Sequence, residues 1–300
     1  TNDKDGVGRA VVFNTPVTGA FGLTVTGNGV LLLNGAAGYA GDTTVASGTL
    51  RQGSANILAS GAGFGGLVLN SAAAKAGTFD LNGANAALNG LSGDASAAVL
   101  GQVVNNGSTA AILTVGNNNA TSTFNGLLKD NTNAGAGTLA LTKVGSGLLA
   151  LGGANTYTGA TTVTAGTLAI NGTLAAGSAV SLASGTTLTG SGTVNGAVTA
   201  AAGAILTAGA AGANNLTLAG GLTLSGAATI NVSALALGAG SGAAYLSVGA
   251  LTANGAAGSV TLNVTSGSNY ANNATYPLLT YGGAIGGTGS SVFVKGAISG

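Results

Sequence analysis

Cysteine, histidine, glutamate, methionine and tryptophan are absent from this sequence, and each absence removes a class of chemistry. Without cysteine there is no disulfide framework and no thiolate metal site. Without histidine a Ser-His-Asp triad is excluded, and general acid–base work at neutral pH loses its usual carrier. Charge is nearly missing too. The acids are Asp3, Asp5, Asp42, Asp80, Asp94 and Asp130; the bases are Lys4, Arg9, Arg51, Lys75, Lys129, Lys143 and Lys295. Between Val144 and Val294 there is no charged residue at all. No basic patch is offered to nucleic acid. No apolar run free of Gly, Ser, Thr and Asn is long enough to cross a membrane. There is no initiator methionine and no basic-then-apolar leader, so the chain is expected to be a processed or partial piece of a longer precursor.

What remains is glycine, 57 of 300 residues, with an apolar fraction of 46% that is mostly Ala, Leu and Val. Intrinsic disorder needs low hydrophobicity and high charge, and this chain has neither. Aromatic residues make up only 4%, so the expected core is thin and built of small side chains. Short runs such as Val180-Ser181-Leu182, Leu216-Thr217-Leu218, Leu222-Thr223-Leu224, Ile230-Asn231-Val232 and Val260-Thr261-Leu262-Asn263-Val264 alternate apolar with polar residues. That is strand periodicity, and the Gly, Asn and Ser between the runs are turn residues. The Ala-rich stretches 72–76 and 200–202 admit helical turns, each cut short by glycine.

The chain also repeats itself. Leu23–Leu50 aligns without a gap on Leu141–Leu168, 118 positions later, with 16 of 28 positions identical. Internal repetition marks architectures built by stacking, in which each unit buries its apolar face only against its neighbours. A sandwich, a barrel and a β-solenoid all suit many short strands. Very short strands, Gly-rich turns and the recurring Gly-Thr-Leu at Gly48, Gly137, Gly166 and Gly172 favour the solenoid. The expected fold is therefore all-β, a parallel β-helix running as a single solenoid over 1–300, with closing coils or a cap at 270–300. At about 20 residues per coil and ~4.8 Å per coil, about 13–15 coils are expected. A composition shift near residue 130 divides a charged first part from a neutral second part.

The second copy of the repeat, Lys143-Val144-Gly145-Ser146-Gly147-Leu148-Leu149-Ala150-Leu151-Gly152-Gly153-Ala154-Asn155-Thr156-Tyr157-Thr158-Gly159-Ala160-Thr161-Thr162-Val163, resembles the autotransporter-associated β-strand repeat, also called the passenger-associated transport repeat. That pattern reads K-x-G-x-G-x-L-x-L-x-G-x-N-x-Y-x-G-x-T-x-V. The first copy departs from it, with Val25 in place of Lys and Ala37-Gly38 in place of Asn-Thr. Gly203–Gly209 is similar to the family's GATLxPG turn, with Ala208 where Pro is usual, and Tyr276–Gly283 resembles the end of such passengers. The resemblance implies exported bacterial surface proteins with right-handed β-helix passengers. It names no catalytic residues.

The remaining motifs point weakly to chemistry. Asp3 and Asp5 read as a solvated end, and Asp42, Asp80, Asp94 and Asp130 would form an acidic cluster only by an accident of folding. Gly27-Asn28-Gly29 and Gly145-Ser146-Gly147 read as tight turns, because no helix signal follows as a phosphate loop requires. Tyr39 and Tyr157 occupy equivalent repeat positions, as packing anchors or as exposed platforms for sugars. Asn117-Asn118-Asn119 suits an amide ladder or a turn equally. Thr-x-Thr pairs at Thr24, Thr121, Thr156, Thr162 and Thr187 are too irregularly spaced in sequence for an ice-binding array. The expected function is that of a non-catalytic extracellular structural protein, on or outside the bacterial surface, forming fibres or a coat by self-association as a homo-oligomer or homopolymer. No catalytic residue, cofactor or metal site is expected. The alternatives are an adhesin that binds glycans or a host protein and, further off, a β-helix carbohydrate-active enzyme.

Overall fold

A computed structural model describes residues 10–72, 75–93, 100–130, 137–209, 215–234, 245–266 and 278–299. Asp3, Lys4, Asp5, Arg9, Asp94, Tyr276 and Pro277 lie outside the described residues. The chain forms two compact units, Thr1–Ala160 and Thr161–Gly300. In each, the described residues form parallel β-helix coils. Gly289–Val292 is a short 3-10 turn.

In the first unit each coil has three sides. The first side stacks Ala10–Phe13, Val30–Leu33, Gly48–Gln52, Lys75–Asp80, Gln102–Val104 and Leu127–Lys129 in parallel. The second stacks Val17–Gly19 on Ala37–Tyr39, which bridges Leu58, and separately Ala86–Leu88, Ala111–Val115 and Leu139–Lys143. The third stacks Leu23–Val25, Thr43–Val45, Leu67–Leu69 and Leu91–Ser92; Gly93 then bridges Phe124, and Ser122–Phe124 pairs with Leu148–Leu151.

The sides exist because of the period-two pattern. Alternate residues of a strand point to opposite faces, so in-register stacking gathers like side chains into columns. One interior column runs Leu31, Leu50, Phe79, Val103, Leu128, and from Leu50 onward every member is fully buried. Another runs Leu113 to Leu141, also buried. Two glycines make room for the Phe124 ring. A Cβ on Gly93 would lie 3.0 Å from the Phe124 ring and 2.6 Å from the Leu69 carbonyl oxygen, and one on Gly126 would overlap the same ring.

In the second unit the ladders are as regular. One side stacks Thr173–Leu174, Thr193–Val194, Leu216–Leu218 and the start of Leu246–Ala253. A second stacks Thr161–Val163, Val180–Leu182, Val198–Ala200, Leu222–Leu224 and the end of Leu246–Ala253. The third stacks Thr167–Ile170, Thr187–Thr189, Ile205–Ala208, Ala228–Ala234, Val260–Ser266 and Phe293–Ser299.

Two expectations change. The coils are not uniform: registered partners are 18 residues apart at Val180 and Val198 but 33 apart at Val260 and Phe293. The count of 13–15 coils fails with the uniform coil on which it rested. Strand periodicity reveals the rungs but not how many residues a corner holds. The described residues of the Ala-rich stretches are not helical either. Ser71–Ala72 pairs antiparallel with Lys75–Asp80, and Ala200 ends the strand Val198–Ala200. An antiparallel pairing in the first case and parallel rung pairing in the second outweigh the local preference of alanine for helix.

Large exposed apolar side chains concentrate in the outermost described coils: Val12, Phe13 and Phe21 in the first, Tyr281 and Val294 in the last, with Ile112 elsewhere. The first coil also opens onto an apolar cavity of about 260 Å³ lined by Val11, Phe13, Leu23, Val25 and Leu31.

The column reading makes a test. Leu50→Ala removes a fully buried side chain stacked between Leu31 and Phe79 and is expected to cost about 2–5 kcal/mol in urea unfolding. A cost within experimental error of zero would mean that the column is not the core.

Candidate functional site

The repeat follows one local path twice. In the first copy the strands are Leu23–Val25, Val30–Leu33, Ala37–Tyr39, Thr43–Val45 and Gly48–Gln52. In the second they are Leu139–Lys143, Leu148–Leu151, Ala154–Asn155, Thr161–Val163 and Thr167–Ile170. Shifted by 118, two of the five strands coincide end for end. Each copy turns its first corner at a glycine with positive φ, Gly27 at 103° and Gly145 at 67°. That region is open to glycine at little cost.

The copies are nevertheless out of phase. Leu23–Val25 stands on the third side of the first unit, whereas its counterpart in Leu139–Lys143 stands on the second. Val30–Leu33 is on the first side and Leu148–Leu151 on the third. The offset of 118 residues is therefore not a whole number of coils.

Tyr39 and Tyr157 are both buried, which removes them as exposed sugar platforms. The Tyr39 hydroxyl lies 2.6 Å from the Thr43 hydroxyl. Burial raises the Tyr39 pKa above 10.0, with the Thr43 hydrogen bond opposing the shift. At the repeat position where the first copy has Val25, the second buries Lys143 completely. Its Nζ donates to the carbonyls of Val144 at 2.6 Å and Gly145 at 2.7 Å, in the turn that follows it. Burial lowers the Lys143 pKa below its ordinary 10.5, because desolvation penalises the charged form.

The described aspartates Asp42, Asp80 and Asp130 are not gathered, and Asp94 lies outside the described residues. Among the described residues no group of three or more His, Cys, Asp or Glu is placed to hold a metal ion. Each described aspartate accepts backbone amides instead. Asp42 accepts from Gly66 at 2.7 Å. Asp130 accepts from the amides of Leu139 and Thr158 and from the Thr158 hydroxyl at 2.7 Å. Asp80, 0% exposed, accepts from the amides of Asn82 and Asn106 through one oxygen and from Arg51 Nε at 2.8 Å through the other. Asp80 therefore ties three successive coils together, since Arg51, Asp80 and Asn106 belong to consecutive turns of the helix.

Buried amides act in the same way, and sequence reasoning missed them. Asn105 accepts from Gly83 N–H and donates to the carbonyls of Thr109 and Thr138. Asn89 donates to Gly61 and Phe64 and accepts from Gly61. Gln52 donates to the carbonyls of Leu81, Ala84 and Asn85. Asn155 accepts from Leu128 and donates to Gly153. The signal was an amide at a strand end beside a corner, as at Gln52-Gly53 and Asn89-Gly90. The run Asn117–Asn119 forms a turn, with Asn118 accepting from Ala120 and Asn119 at φ 63°. Amide ladders occur elsewhere, from Asn34 to Asn14 at 2.7 Å and from Asn263 to Asn231 at 2.9 Å.

With this geometry in hand, comparison with known families decides the nature of the repeat. Residues 23–51 and 141–170 match the family model of the passenger-associated-transport-repeat. Both copies of the repeat are thus similar to the passenger-associated transport repeat. Together the two matches span about a fifth of the chain's length. No curated protein and no solved structure matches the chain. Among the described residues no helix is long and apolar enough to cross a membrane.

Two measurements test these anchors. Asp80→Ala orphans two amides and is expected to cost about 3 kcal/mol. Arg51→Ala removes a partner whose side chain is 37% exposed and should cost at most about 1 kcal/mol. Equal costs in urea unfolding would show the ion pair, not the amide clamp, to be the stabilising element.

Lys143 gives a pH dependence. Its folded pKa lies below the unfolded value, so its contribution is fully present above 10.5 and is lost as pH falls through the lowered folded value. Tyr39 has the opposite sign: its contribution is full below 10.0 and is lost as pH rises through its raised folded pKa. Stability of the native chain minus that of Lys143→Met should therefore rise as pH approaches 10.5 from below, in a Tyr39→Phe background as well. A flat difference would mean that Lys143 titrates alike in the folded and unfolded states.

Proposed function

We propose that this chain is a non-catalytic extracellular structural protein that builds surface fibres or a coat by self-association. The observation that carries the reading is the neutral second unit. It has no charged residue before Lys295, and its strands stack hydroxyl-bearing residues outward on regular sheet faces. Mixed surface charge normally keeps protein copies apart, and this unit has almost none. The rungs of a second copy stacked on a free coil would continue the ladder. A sheet edge presents unpaired N–H and C=O groups that template such an addition. The polar groups of the first unit are engaged in tying coils together, which suits a structural element better than a reactive one.

The competing reading is an adhesin whose faces bind glycans or a host protein. Light scattering and negative-stain electron microscopy of the chain at micromolar concentration separate the two. The native chain is expected to assemble without added ligand, and to do so almost equally in low and high salt, since few charges take part. A stable monomer under both conditions would overturn the structural reading in favour of the adhesin. Assembly that dissolves in high salt would show that ion pairs hold it.

A further inference from the structure

The sequence holds nine Asn-Gly pairs, and every one lies outside the strands, at a corner. Such a pair is chemically reactive. Glycine has no side chain to shield its N–H, so its nitrogen can attack the carbonyl carbon of the Asn side chain. Two conditions govern the attack. The Asn side chain must be free to turn onto its own backbone, and no other acceptor must hold the Gly N–H.

The coils deny these conditions at most of the pairs. Asn34 donates to Asn14, and Gly35 N–H donates to the Phe13 carbonyl. Asn82 donates to the Gln52 carbonyl, while Gly83 N–H is taken by Asn105. Asn89 is buried and hydrogen-bonded to Gly61 and Phe64, and Asn195 donates to Leu174. Asn106 and Gly107 both have partners. At Asn125 and Asn254 the side-chain oxygen presses on the next coil, 2.1 Å from where a Cβ on Gly152 would stand and 2.3 Å from one on Gly287. Two pairs remain. After the exposed Asn28, Gly29 is buried, which keeps base from its N–H. Asn171-Gly172 is the open pair. Asn171 is exposed, Gly172 is half-buried, and they form the bend between Thr167–Ile170 and Thr173–Leu174. Among the described residues neither the Asn171 side chain nor the Gly172 N–H has a hydrogen-bond partner.

We propose that Asn171 is a site of spontaneous deamidation. The Gly172 nitrogen gives up its proton and bonds to Cγ of Asn171. The bond from Cγ to the side-chain nitrogen breaks, and that nitrogen leaves as ammonia with the proton. A five-membered succinimide ring results. Water then opens the ring at either carbonyl and leaves aspartate or isoaspartate at this position, with no oxidant or enzyme required. Both products carry a negative charge, where the native chain has no charge between Val144 and Val294. Isoaspartate also lengthens the backbone by one carbon. The corner has no room for it, because a Cβ on Gly192 in the next coil would already stand 2.0 Å from the Gly172 carbonyl oxygen. The amides of Gly192 and Thr193 donate to Ile170 and Gly172, on either side of the altered residue. The isoaspartate form is therefore expected to unfold at lower urea than the native chain.

Native chain aged at mildly alkaline pH, digested and read by mass spectrometry, gives the rate at each pair, because the side-chain –NH2 becomes –OH. Asn171 is expected to convert at least tenfold faster than Asn82, Asn89 or Asn195, whose reaction waits on local opening. In urea that difference should vanish, since only the local sequence then acts. Ageing in heavy-oxygen water should place the label at position 171, in aspartate and isoaspartate alike. An isoaspartate methyltransferase should modify the aged native chain and lose most of that reaction with Asn171→Gln, folded by circular dichroism. Equal rates at Asn171 and Asn89 in the folded chain, faster conversion at Asn28, or methylation undiminished in Asn171→Gln would overturn the assignment. A tenfold difference that persists in urea would overturn the account of the fold as what selects the site.

Discussion

Along its sides, each described coil pairs its strands with those of the coils beside it, and the rest of the structure follows from that constraint. The N–H of Val180 goes to Ala197 and that of Thr187 to Gly166, not to groups within the same side of the same coil. A residue is therefore judged against its registered partners one rung away. Leu50 sits between Leu31 and Phe79, and the bulk of Phe124 is admitted by the missing side chain of Gly93. The sides are rigid in register, but a corner is free to lengthen, because residues there belong to no rung. Registered partners thus stand 18 to 34 residues apart, and the ladders keep their register except in the last coils, where it shifts between Val248 and Thr252 and between Leu262 and Val264.

The same freedom creates the main cost of the fold. At a corner the backbone turns away from its neighbours, and buried N–H and C=O groups lose their rung partners. The first unit fills these vacancies with side chains. Gln52, Asn89 and Asn105 each satisfy two or more backbone groups in neighbouring coils, and Asp80 and Asp130 do so with carboxylates. The second unit leans on smaller groups: the Thr161 and Ser178 hydroxyls meet at 2.8 Å, Thr186 donates to Ala183 and Asn195 to Leu174. The composition shift read from the sequence is, in structural terms, a change in how corners are satisfied.

Much of this was legible in advance. The alternation in Val180–Leu182, Leu216–Leu218 and Leu222–Leu224 identified strands, because period two is a property of the strand itself. The Gly-Thr-Leu units at Gly48, Gly137, Gly166 and Gly172 mark the starts of rungs. What stayed hidden depends on partners far along the chain. Lys143 reads as a surface charge until its side chain is seen folded onto the carbonyls of the following turn. The column Thr162–Thr252 reads as scattered threonines, since only the registered coils bring them into line.

The phase of the two repeats bears on what they are for. A repeat that recognised a ligand would need to present the same residues on the same side each time, since a solenoid binds along a face. Here the two copies stand on different sides of the first unit, Val30–Leu33 on one and Leu148–Leu151 on another. Their most distinctive shared side chains, Tyr39 and Tyr157, point into the core, and so do Leu33 and Leu151. What the copies have in common is a sequence of short strands and glycine corners. The selected property is then a local path that lets one coil be laid upon the last, wherever on the solenoid it begins. A segment of that kind specifies how the chain stacks.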